Sequence, residues 1–115
     1  MDVLAGTMTA RATWKASERR MAAILGGQRV PVSGRERGFA PDIDGVTVAG
    51  RRLAIEHKYG ARLLSSRIIH ALDQAEAAMR SPEDVPVVTL EVADAGRVNR
   101  RLLIIDAELF VELVS

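Results

Sequence analysis

The chain contains no cysteine, which excludes a disulfide scaffold and any thiolate metal site. Such a chain suits a reducing compartment. Aromatic residues are scarce: Trp14, Phe39, Tyr59 and Phe110 account for 3% of the sequence. Stacking of successive bases on aromatic platforms is therefore not an expected binding mode. No stretch approaches the roughly 18 consecutive apolar residues of a membrane span. The first nine residues also lack the basic-then-apolar layout of a secretory signal. A cytoplasmic protein without membrane contact is the expectation.

What is present is ordinary for a globular domain. The 115 residues are 48% hydrophobic and 27% charged, enough for one core and too few for two. The net charge of +1 conceals an uneven distribution. Residues 1–70 hold twelve Lys and Arg against six Asp and Glu, net +6, and residues 71–115 hold four against nine, net −5. Segregation of this kind suggests a basic face for a polyanion, read through its backbone. Clustering of solvated side chains is the plainer explanation.

No internal repeat or low-complexity tract interrupts the chain. Residues 1–12 have no clear period and are expected to form a flexible arm, leaving 13–115 as a single domain. Thr13 can cap a helix over 13–25 that Gly26-Gly27 stops. Residues 28–32 alternate weakly and contain Pro31, which suits an edge strand. Residues 33–40 read as a polar loop with two glycines and two arginines. A β-hairpin follows, with strands at 46–48 and 52–58 turning at Ala49-Gly50. Ser65 or Ser66 can cap a helix over 66–80 with Ile68, Leu72, Ala75 and Met79 on one stripe. Strands are expected at 85–92 and 100–105, then a short helix capped by Asp106. The order αβββαββα predicts an α/β domain, a mixed five-stranded sheet flanked by helices.

Charges placed where the pattern calls for apolar side chains are the informative ones, because burial costs several kcal/mol unless something compensates. Glu18 shares the stripe of Trp14, Met21 and Leu25 and should face the protein interior. A salt bridge to an arginine at the stripe's edge would account for it equally. Glu56 and Lys58 project from one strand face, with His57 opposite. A surface ion pair is the commoner explanation of a bare E-x-K. Pro41-Asp42 opens the neighbouring strand, fourteen residues before Glu56. The chain reverses once between them, so both carboxylates can reach one end of the hairpin beside Lys58. Mg²⁺ takes hard oxygen ligands, typically one or two carboxylates. It lowers the pKa of a bound water, and a nearby lysine stabilises charge on phosphate.

Together these residues resemble the PD-(D/E)xK nuclease motif, and their surroundings resemble its archaeal and phage Holliday-junction resolvase branch. Glu18-Arg19 matches that branch's helical E-R pair. Arg29-Val30-Pro31-Val32-Ser33-Gly34 matches its R-V-x-x-S-G strand and loop, and Pro41-Asp42 with Ile55-Glu56-His57-Lys58 matches its P-D and (I/V)-E-x-K. The resemblance spans residues 13–114. It implies a restriction-endonuclease-like fold and a homodimer that cuts four-way DNA junctions by phosphodiester hydrolysis with Mg²⁺, for which Mn²⁺ should substitute. Asp42 and Glu56 would hold the metal, with Glu18 as a further acidic group there, and Lys58 would be the catalytic lysine. Ser33 would lie near the scissile phosphate. Arg29 would contact the DNA backbone, with Arg19, Arg35, Arg37 and Gln74 as further contacts. Asp44, two residues from Asp42, is a second carboxylate better suited to a solvated role. His57 stands where relatives commonly carry an aliphatic or small residue. A phage-encoded protein of a bacterial host fits this branch. The alternatives are a general, flap- or fork-specific nuclease of the same motif, and a non-catalytic module that binds DNA structure.

Overall fold

The computed structural model describes residues 10–31, 41–93 and 95–115. Residues 1–9 of the arm expected at 1–12, and the whole polar loop at 33–40 with Ser33, Arg35 and Arg37, lie outside the described residues, while residues 10–12 belong to a helix and not to an arm. The chain is mixed α/β and divides into two units, residues 1–63 and 64–113, with Val114 grouped with the first and Ser115 with the second. No helix among the described residues is long and apolar enough to cross a membrane.

The first unit begins with helix α1, Ala10–Leu25. It starts three residues before the expected cap at Thr13, because Ala10, Arg11 and Ala12 are strong helix formers and nothing in them opposes the helix. Its end is where the sequence places it. Gly26 takes φ +76°, its N–H bonds to Ala23 O, and Gly27 N–H bonds to Ala22 O. This pair of bonds closes the last turn in a Schellman motif. Gly27 then passes close to the next strand: a Cβ there would lie 2.5 Å from Asp44 O and 2.6 Å from Val46 Cγ2.

Strand β1, Gln28–Arg29, pairs antiparallel with β2, Ile43–Asp44. On its other side Ile43 bridges Ile55, so the residues around Asp42 run centrally in a three-segment ladder. The hairpin continues as β3, Thr47–Val48, and β4, Arg51–Arg52. Ala49 and Gly50 at its turn both have positive φ, 52° and 77°, the pattern of a type I′ turn. Between the Ile43↔Ile55 bridge and the Leu53 N–H to Val46 O bond, two residues, Asp44 and Gly45, stand against one, Ala54. That is a β-bulge, and Gly45 at φ +83° supplies the left-handed residue it needs. Ala22, Ile43 and Val46 form the buried cluster, with Met21, Leu25, Leu53 and Ile55 packed against it.

The second unit holds α2, Ser66–Ala77, capped by Ser65, whose side chain accepts from Ile68 N–H. Strands β5, Val87–Val92, and β6, Arg100–Ile105, pair antiparallel over six residues each, and α2 packs on β5. Helix α3, Ala107–Val114, is capped by Asp106, which accepts from Glu108 and Leu109 N–H.

The expectation of one mixed five-stranded sheet is not met. The described residues form three separate two-stranded antiparallel sheets, β1–β2, β3–β4 and β5–β6. Two causes are visible in the first unit. Its strands are two residues long, and the bulge at Asp44-Gly45 shifts the register in mid-hairpin, so the expected strand over 52–58 is reduced to β4 and a single bridge at Ile55.

Candidate functional site

Helix α1 presents Ser17 and Glu18 to the interior of the first unit, with exposures of 8% and 0%. The misplaced carboxylate of the apolar stripe is therefore fully buried. Its partner is Arg29 on β1, whose Nε lies 2.6 Å from Glu18 Oε1. The approach does not meet hydrogen-bond geometry, so the contact acts chiefly as charge against charge. An arginine at the stripe's edge is thus the neighbour of Glu18. Arg29, expected at the DNA backbone, is mostly buried here, with 16% of its side chain exposed.

Asp42 is also buried, at 6% exposure. Its backbone N–H donates to Ile55 O at 2.8 Å, and its carboxylate Oδ2 accepts the His57 backbone N–H at 2.8 Å. These two bonds hold the peptide groups on either side of Glu56, which fixes that residue's φ and ψ. The register of the Ile43↔Ile55 bridge sets Asp42 opposite Glu56. Glu56 and Lys58 are exposed while His57 between them is buried, the alternation of an extended segment. The buried Asp42 thus holds the backbone of the E-x-K segment, whose Glu56 and Lys58 side chains are exposed.

His57 faces away from Glu56 and Lys58, as strand alternation predicts, and meets a partner that alternation does not name. Its Nε2 lies 2.8 Å from Ser17 Oγ, a buried contact between residues 40 positions apart. The tautomer decides which of the two donates. Two signals in the sequence bear on it: His57 shares strand parity with Ile55, and Ser17 adjoins Glu18 on the inward side of α1.

The remaining candidates are dispersed. Arg19 is exposed on α1, and Gln74 is exposed on α2 in the second unit. Asp44 pairs with Arg52 at 3.2 Å. The Gly45 N–H first, and the Arg52 guanidinium second, hold its carboxyl below the usual value. That is the solvated ion-pair role its position suggests. Among the described residues no three His, Asp or Glu side chains group as a metal cage.

No protein-family model, curated protein or solved structure matches the chain.

Proposed function

We propose that the chain is a metal-dependent, structure-selective DNA endonuclease of PD-(D/E)xK type, cleaving four-way junctions as a homodimer. The observation that supports this reading best is the Asp42 clasp. Asp42 binds the backbone on both sides of Glu56, donating its own N–H to Ile55 O and accepting the His57 N–H on its carboxylate, so the P-D and E-x-K elements meet through the backbone, with Glu56 and Lys58 exposed. The donor chemistry fits Mg²⁺, which needs only one or two carboxylates and leaves its other positions to water and phosphate oxygens. Asp42 and Glu56 would hold it, and Mn²⁺ would substitute. The bound metal would supply an activated water and charge neutralisation at the phosphate. Lys58, exposed and cationic, would orient the attacking water and stabilise the charge that builds on the phosphoryl oxygens. Arg19, Arg35 and Arg37 would contact backbone phosphates, each adding to the salt dependence of binding. Branched DNA in a cytoplasmic, phage-infected bacterial setting is the substrate and context we assign.

One set of observations favours a second reading, a non-catalytic module that binds DNA structure. Glu18 is engaged by Arg29, Asp42 bonds to backbone, and Glu56 is exposed. Each acid thus has a structural or solvated role without a metal.

The two readings separate on a labelled four-way junction, a matched duplex and a flap, each incubated with Mg²⁺ and with EDTA. Paired symmetric nicks on the junction alone, lost in EDTA, are the expected result. Equal cutting of all three substrates points to a general nuclease. Binding without cutting at any Mg²⁺ or Mn²⁺ concentration leaves the binding module.

A further inference from the structure

We infer that His57 and Ser17 form a latch that positions the proposed metal-binding carboxylates, which makes His57 a positioning residue of the site. The inference rests on the nuclease reading. Asp42 can hold Glu56 only if the amide of residue 57 stays where the Asp42 carboxylate meets it. That amide belongs to a segment that, beyond the single bridge at Ile55, makes no further sheet pairing among the described residues. Its own side chain restrains it as well. The His57 ring turns inward, is 8% exposed, and is hydrogen-bonded at 2.8 Å to Ser17 of α1, itself 8% exposed. Helix α1 is in turn packed on β1 and β2. The path runs from α1 through Ser17 to the His57 ring, then through the His57 N–H to Asp42 and so to the backbone of Glu56. Groups that hold liganding carboxylates in this indirect way commonly govern metal affinity by 10- to 100-fold.

The latch gives helix α1 a positioning role beside the residues it already presents. Ser17 is the residue beside Glu18, so one turn of α1 supplies both the buried acid and the anchor for the E-x-K segment. An aliphatic residue at position 57 would fill the space without the directional bond to Ser17. Glutamine can place an amide nitrogen near the position of the histidine Nε2, so His57→Gln should preserve the bond, whereas Ser17→Ala and His57→Ala should remove it.

The test uses the full chain and the variants Ser17→Ala, His57→Ala and His57→Gln. Three quantities are read: Mn²⁺ affinity by calorimetry, amide hydrogen exchange at His57 relative to Ile43, and single-turnover cleavage of a four-way junction. Urea unfolding establishes that each variant is folded under the assay conditions. The expected result is Mn²⁺ binding weakened about 10-fold or more in Ser17→Ala and His57→Ala. Exchange should quicken at His57 but not at Ile43, and His57→Gln should stay close to wild type. A purely structural role would raise exchange at both amides together and leave Mn²⁺ affinity unmoved in the folded protein, and that result overturns the latch. Wild type that binds Mn²⁺ and cuts, with both alanine variants matching it, sinks the positioning role and leaves the nuclease standing. Wild type that neither binds Mn²⁺ nor cuts overturns the nuclease reading, and the positioning role falls with it.

Discussion

Replacing Arg29 by alanine should be among the most damaging single changes in the first unit, through charge burial and not through lost DNA contact. Glu18 has no solvent exposure and Arg29 Nε lies 2.6 Å from it. Removing the guanidinium takes from the buried carboxylate the cation that faces it, a change that costs about 3–5 kcal/mol in comparable buried pairs. Whole-domain stabilities are only about 5–15 kcal/mol, so the loss is a large share of the total. At about 2.1 cal/mol/K of unfolding entropy per residue, 115 residues unfolding together would lose about 12–20 °C of Tm. The paired replacement Glu18→Leu with Arg29→Met removes both charges and should recover most of the loss, because the ion pair's attraction is offset by its desolvation. Urea unfolding of wild type, Arg29→Ala and the double variant, at one pH and salt concentration, measures all three. A loss below about 1 kcal/mol in Arg29→Ala would place it with ordinary surface substitutions and refute the buried pair. The experiment also separates stability from function: weaker DNA binding by Arg29→Ala is interpretable only where the variant remains folded.

Four further outcomes are expected. Lys58→Ala should leave stability within about 0.5 kcal/mol, as for other exposed positions, yet reduce junction cleavage by at least about 100-fold under single-turnover conditions; unchanged cleavage would remove Lys58 from the chemistry. Gly27→Ala should destabilise by about 1–3 kcal/mol in urea, since its methyl would press on Asp44 O and Val46 Cγ2. Ala49→Asn, at a left-handed turn position, should instead stabilise slightly, because asparagine tolerates φ > 0 better than alanine. In the second unit, Asp84 accepts from Arg80 N–H first and also from Ser81 Oγ, which holds its carboxyl below the ordinary 3.8. A depressed folded value means its stabilisation is present above pH 3.8 and is lost as pH falls through that lower value. Asp84→Asn should therefore differ most from wild type near neutrality, and the gap in urea midpoint should close in acid. A gap that widens in acid would contradict the assignment.

Local structure was largely legible in the sequence because its causes are local. The Gly26-Gly27 stop of α1, the caps at Ser65 and Asp106, the turn at Ala49-Gly50 and strand 100–105 each depend on neighbouring residues, and each lies where pattern placed it. The stripe through Trp14, Met21 and Leu25 marked Glu18 as an inward-facing acid for the same reason. Composition and periodicity fixed the α/β class.

The tertiary structure alone decided the rest, because those interactions join residues far apart in sequence. Strand pairing depends on register, and one bulged glycine, Gly45, breaks the hairpin that alternation predicted to be continuous. That β1 would set Arg29 against Glu18 could not be read from the helix stripe. That Asp42 would grip the backbone around Glu56, and that His57 would find Ser17 across 40 positions, follows only from helix α1 lying against the central strand. Burial makes such polar contacts obligatory, but the sequence does not say which partner comes within reach.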